Sequence, residues 1–131
     1  MYLLDSHILL WYLTANPKLA PSVKVIIDRK TRLNFSVASL WEIAIKLNIG
    51  KLPSHFLLQE ILEQIDFLEI CILPIHRNAI IQYRNLPLNR EHRDPFDRIL
   101  IAQAINHSLT LISADSKFAS YTIRDFNFYE N

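Results

Sequence analysis

Residues 95–115 read PFDRILIAQAINHSLTLISAD, and two structural patterns meet inside that stretch. Pro95 suits the first turn of a helix, and the run from it to His107 is apolar nearly all round, which predicts a deeply packed helix. The apolar run Leu109–Ile112 follows almost at once, has the length of an ordinary strand (about 4–6 residues) and leads through Ser113 to Asp115. A strand that is apolar throughout, instead of alternating, has both faces covered, as strands of parallel sheets do.

Outward from this unit the pattern repeats. Tyr2–Leu4, Leu33–Val37 and Leu68–Leu73 are further short apolar runs that predict strands, and Phe126, Phe128 and Tyr129 predict a docked C-terminal strand. Between them, Ser39–Asn48 predicts a second deeply packed helix, closed by Gly50. His55–Ile65 predicts a surface helix, with Leu57, Leu58, Ile61, Leu62 and Ile65 on one face and Gln59, Glu60, Glu63 and Gln64 on the other. Strands alternating with helices predict an α/β sandwich with a mostly parallel sheet. The six prolines are scattered and no repeat or linker interrupts the chain, so residues 1–131 read as one domain.

Composition narrows the function. The only glycine is Gly50, whereas phosphate-cradling loops need more than one for their tight turns, so no nucleotide-binding loop of that kind is present. The single Cys71 excludes an intramolecular disulfide and a Cys-rich zinc knuckle, and fits a reducing, cytoplasmic setting. The N-terminus MYLLDSHILLWYL lacks a basic leader and carries Asp5, and no apolar run approaches the ~20 residues of a membrane span. A soluble protein that keeps its N-terminus, with no membrane partner, is expected. With 14 Lys and Arg against 13 Asp and Glu the net charge is +1, which leaves a nucleic-acid partner open.

In a parallel sheet, ligands bind at the carboxyl ends of the strands. Asp5 follows the first strand and Asp115 the fourth, so both carboxylates are expected at one edge. Capping of a following helix is an equally good reason for either acid taken alone. Glu42 is the only charge in VASLWEIAI, residues 37–45; an acid in so apolar a helix needs a partner or a function, the simplest partner being Lys46 one turn on, worth about 0.5 kcal/mol. Asp94 reads mainly as the cap of the helix at Pro95, while Asp97 leads into its apolar body and is expected to face the sheet edge. Four carboxylates gathered within ~5 Å would repel by about 3 kcal/mol per pair at an effective dielectric of about 20. A cation relieves that, and oxygen ligands with no His pair at metal spacing select a hard ion, Mg²⁺ or Mn²⁺. The chemistry expected is metal-dependent phosphoryl transfer.

These residues resemble the PIN-domain ribonucleases, specifically the VapC-like toxins of bacterial toxin–antitoxin modules. The resemblance rests on LLDSHILLWYL at 3–13, SVASLWEIAIKLNIGKL at 36–52, HRDPFDRILIAQA at 92–104 and LISADSKFASY at 111–121, in that order along nearly the whole chain. It implies a PIN-like three-layer α/β/α sandwich, with Asp5, Glu42, Asp97 and Asp115 as catalytic residues and as ligands of Mg²⁺ or Mn²⁺, and Asp94 as an auxiliary. It also implies an endoribonuclease that leaves 5′-phosphate and 3′-hydroxyl ends, acts as a homodimer, and is silenced by a cognate antitoxin through which alone it meets operator DNA. Ser6 stands where the family often has Thr and keeps the hydroxyl; Ser113 is a further auxiliary hydroxyl near Asp115. Arg93, Arg98 and Lys46 lie near the acids in sequence and are expected RNA contacts, although solvated surface charge explains each one singly. Trp11, Tyr12 and Trp41 read as core or dimer contacts rather than base-stacking platforms.

Two other readings compete. His7, His92 and His107 would supply an acid and a base for metal-free RNA cleavage if the fold gathered them. A non-catalytic PIN-like or receiver-like module would hold Mg²⁺ at strand-end acids and act through a protein partner, but a receiver's phosphoacceptor Asp has no counterpart where the third strand ends in Leu73-Pro74.

Overall fold

The computed structural model describes residues 1–53 and 55–131. Its sheet consists of β1 (Tyr2–Leu4), β2 (Leu33–Ser36), β3 (Cys71–Leu73), β4 (Thr110–Ser113) and β5 (Asn127–Glu130), in the order β3-β2-β1-β4-β5 with every pairing parallel. Parallel neighbours need crossovers. These are supplied by α1 (Ser6–Leu13), α2 (Pro21–Asp28), α3 (Val37–Asn48), α4 (Leu58–Phe67), α5 (Arg77–Arg84), α6 (Pro95–Asn106) and a 3₁₀ turn over Ser116–Ser120.

The register explains the layers. Leu4 pairs with Phe35 and Ile112, and their side chains meet Ile8 and Leu9 of α1, Val23 and Ile27 of α2 and Ile61 and Ile65 of α4. One residue earlier, Leu3 and Leu111 point to the opposite face and pack on Ile99, Leu100 and Ala104 of α6 and on Phe118. Helices therefore cover both faces, as the uninterrupted apolar strands require. Among the described residues no helix is long and apolar enough to cross a membrane.

Several boundaries differ from the sequence reading. The run Leu68–Leu73 is strand only from Cys71: Leu68 ends α4, Glu69 turns the chain at a positive φ, and the Ile70 N–H bonds back to Ile65. The first half of that run is thus the capping turn that follows a helix. α3 starts at Val37, not Ser39, because Ser36 caps it by accepting from the Ala38 N–H. Its far end follows the expectation: Gly50, at φ 73°, donates to Leu47 and Lys51 donates to Lys46, the paired closure in which glycine takes the left-handed position. α4 begins at Leu58 rather than His55. α6 is deeply packed as expected, but α3 is not; only Ala38, Ser39 and Ile43 are buried, and Trp41 is 62 % exposed.

The chain enters the sheet at its centre, steps outward through β2 and β3, then returns to the other side of β1 as β4. Crossovers leave in opposite directions at β1 and β4, and a cleft opens at their carboxyl ends.

Candidate functional site

That cleft is lined by five carboxylates, Asp5, Glu42, Asp94, Asp97 and Asp115, and by one ammonium, Lys46. Asp5 leaves β1 directly and caps α1: its Oδ1 accepts from the Ser6 N–H at 2.7 Å, its Oδ2 accepts from the Ser113 hydroxyl at 2.7 Å, and it is 7 % exposed. Capping and a place in the cleft are therefore both true of it. Ser113 is 0 % exposed at the end of β4 and also accepts from the Asp115 N–H at 3.0 Å, so one hydroxyl ties the two strand-end acids together. Asp115 in turn caps the 3₁₀ turn through the Lys117 N–H.

Glu42 reaches the cleft from α3. Its Oε1 accepts from the Ser6 hydroxyl at 3.1 Å and its Oε2 lies 4.0 Å from Lys46 Nζ. Burial pushes the Glu42 carboxyl above its ordinary pKa against the pull of Lys46 and the Ser6 bond, while Asp5 and Asp94 add to the rise. α6 precedes β4 and so runs from the carboxyl edge to the amino edge of the sheet, which brings its first turn to the same cleft. There Asp94 caps the helix, accepting from the N–H groups of Phe96 and Asp97. Asp97 Oδ2 lies 2.8 Å from His92 Nε2. Its burial lifts Asp97 from 3.8 to about 6; the His92 bond opposes this, and Asp5 and Asp94 reinforce it.

Ligand atoms of His92, Asp97 and Asp115 lie within 4.8 Å of one another. Asp5 and Glu42 share the cleft but stand outside that tight group, each held by the hydroxyl and N–H donors named above, which keeps the repulsion lower than four free carboxylates would suffer. The donor set remains oxygen-rich and short of positive charge, which suits a hard divalent ion.

One consequence concerns the metal-free protein. Because Asp97 titrates near 6 when folded and near 4 when unfolded, the native state binds more protons between those values; its contribution to stability is full below about pH 4 and is lost as pH rises through about 6. Asp97→Asn in EDTA is expected to be more stable than wild type at pH 7.5, on the order of 1–3 kcal/mol, with the gap closing toward pH 4. Denaturant unfolding at both pH values checks this; a variant no more stable at pH 7.5 contradicts it.

Of the three cations expected near RNA, Lys46 lines the cleft and Arg93 is exposed beside it, lining a neighbouring groove. Arg98 is a correction. It lines the same groove as Arg93 but is only 7 % exposed, donates to the Tyr121 hydroxyl at 3.0 Å and to the Pro87 carbonyl at 3.2 Å, and lies over the Tyr83 ring, so its guanidinium is engaged by the protein itself. The three histidines are not gathered as a set: His7 lines the cleft and His92 bonds Asp97 beside it, but His107 faces His76 at the far end of the 12-residue α6, about 18 Å from its first turn by helix rise. The sequence offers His92 only as a candidate acid or base, because its pairing with Asp97 spans a loop and a helix start where helical spacing does not apply.

A model of the PIN domain family matches residues 2–123 of the chain. No curated protein matches it by sequence. Among solved structures, a chain in the crystal structure of VapBC2 from Rickettsia felis bound to a promoter DNA fragment is 17 % identical, with a TM-score of 0.71 over 98 % of this chain and 97 % of that one. A chain of DNA-bound VapBC from Salmonella typhimurium gives 15 % and 0.66 over 98 % and 96 %. One of FitAcB from Neisseria gonorrhoeae gives 20 % and 0.65 over 99 % and 97 %. At these identities the likeness is one of fold.

Proposed function

The chain belongs to the PIN domain family, and from that premise we propose that it is a cytoplasmic, divalent-metal-dependent endoribonuclease, the toxin of a toxin–antitoxin pair. The observation that carries the reading is the crowding of Asp5, Glu42, Asp97 and Asp115 at the topological switch point with Asp97 raised to about 6. These four would hold Mg²⁺ or Mn²⁺, with Asp94 as an auxiliary. Bound there, the ion supplies Lewis acidity toward a phosphate oxygen and toward a water.

The chain's own residues do the positioning. Ser113 fixes Asp5, Ser6 fixes Glu42, and the capped first turn of α6 aims its positive dipole end at the cleft, where a phosphate is to lie. Water adds to phosphorus and the P–O3′ bond breaks, so the phosphate stays on the 5′ end of one product and the proton goes to the 3′ oxygen of the other. Lys46 and Arg93 are the cations placed to meet flanking phosphates. Arg93→Ala is expected to lower the salt dependence of RNA binding by about one unit of slope and leave kcat unchanged; binding measured over a range of salt with the wild-type slope would remove Arg93 from the contact.

The toxin role draws support from the fold shared with chains of VapBC and FitAB assemblies. In this reading an antitoxin covers the protein and brings it to operator DNA, and two copies pair. Exposed apolar side chains available to such partners include Trp41 on α3 and Ile80 and Ile81 on α5. The test is end-labelled RNA with the antitoxin-free protein in Mg²⁺ or Mn²⁺ and in EDTA. Metal-dependent cutting that leaves 5′-phosphates is expected. Cutting that persists in EDTA and leaves cyclic 2′,3′-phosphates would overturn the mechanism, and metal binding without cleavage of any RNA would favour the non-catalytic module.

A further inference from the structure

His92 lies five residues before Asp97, is 3 % exposed, and makes one side-chain hydrogen bond, from Nε2 to Asp97 Oδ2 at 2.8 Å. Its other ring nitrogen, Nδ1, is buried with no partner among the described residues. The ring stands edge-on against Phe118 and Tyr121, with centroids 4.9 and 5.4 Å away. Hydrogen-bond accounting assigns the proton. On Nδ1 it would be a buried N–H with no protein acceptor, while two lone pairs faced each other across the Asp97 contact; on Nε2 it makes the observed bond.

The imidazole is also held in place from behind. The His92 carbonyl accepts from the Tyr121 hydroxyl at 3.2 Å, that hydroxyl accepts from Arg98, and Arg98 grips the Pro87 carbonyl. Asn89 closes the loop from the other side by donating to Ser120, at the end of the 3₁₀ turn that Asp115 caps. One scaffold therefore sets the loop before Asp97 and the turn after Asp115.

We propose that His92 is a positioning residue for the acidic centre: its Nε2–H holds Asp97 Oδ2 in one orientation and leaves Oδ1 for the divalent ion. A carboxylate free to rotate would have to be ordered at the moment of binding, and affinity would fall accordingly. The inference rests on the metal-dependent reading above.

The test is calorimetric titration with Mn²⁺ alone at pH 7.5, on wild type, His92→Leu and His92→Gln, with folding of each checked by thermal unfolding in EDTA. His92→Leu, which has no donor, is expected to bind Mn²⁺ about 10–100-fold more weakly, and His92→Gln, whose amide keeps a donor, to stay nearer wild type. Nitrogen-15 NMR of wild type should show Nε2 protonated and Nδ1 bare, and this readout stands even if His92→Leu fails to fold. Folded His92→Leu binding as tightly as wild type, equal losses in both variants, or a proton on Nδ1 would each overturn the proposal. Wild type that binds no Mn²⁺ would instead take down the metal-dependent reading itself, so the two failures are distinguishable.

Discussion

Asp97→Asn is expected to lower kcat/KM for RNA cleavage, at a Mn²⁺ concentration that saturates wild type, by about 10³-fold or more, which is ~4 kcal/mol of transition-state stabilisation. The size follows from position. Asp97 is at once grouped with Asp115, bonded to His92 and the acid whose carboxyl is lifted to about 6. Such a group is unstable as a free carboxylate in this cleft and would gain from an arriving cation, so removing its charge is expected to weaken the proposed metal site. The same substitution relieves the metal-free protein, and the combination separates a functional acid from a structural one: activity lost while stability in EDTA at pH 7.5 rises. Asp94→Ala makes the contrast. Asp94 caps α6 through two N–H groups, so its loss should cost about 1 kcal/mol of stability with a far smaller effect on cleavage. Parallel kinetics and unfolding of the two variants check this; equal losses of activity would put Asp94 among the ligands.

Arg98→Ala is expected to destabilise the fold by about 2–4 kcal/mol, a fall in Tm of roughly 10 °C for a chain of this size. The guanidinium donates to Tyr121 and to Pro87 and packs on Tyr83. Truncation leaves the Pro87–His92 loop without its tie to α6. The stability loss should appear without RNA and without metal. If instead Arg98→Ala unfolds like wild type and only weakens RNA binding, the interior role assigned to Arg98 is wrong.

Arg98 also shows what a sequence carries and what it does not. The strands were legible because Leu3, Leu4, Phe35, Leu111 and Ile112 must be covered on both faces. Strand ends then located Asp5 and Asp115, and an otherwise uncharged stretch located Glu42. α1, α2 and α5 were left unassigned: each is eight residues long, too short for apolar periodicity to stand out. Leu68 and Ile70 misled because burial at the end of a helix looks like burial in a strand. Proximity along the chain misled more. Asp97 and Arg98 are adjacent, yet successive helical side chains point about 100° apart, so one faces the cleft and the other the interior. The pairing of His92 with Asp97 was illegible for the complementary reason, since only the folded loop brings the two together.

The central claim is that the acidic cleft holds a divalent cation, and the most direct measurement is Mn²⁺ binding by calorimetry at pH 7.5 and at pH 5. Saturable binding is expected at pH 7.5, weaker binding at pH 5 where protons compete for Asp97, and none in Asp97→Asn. Binding that is unaffected by Asp97→Asn, or no binding by wild type at pH 7.5, would contradict it.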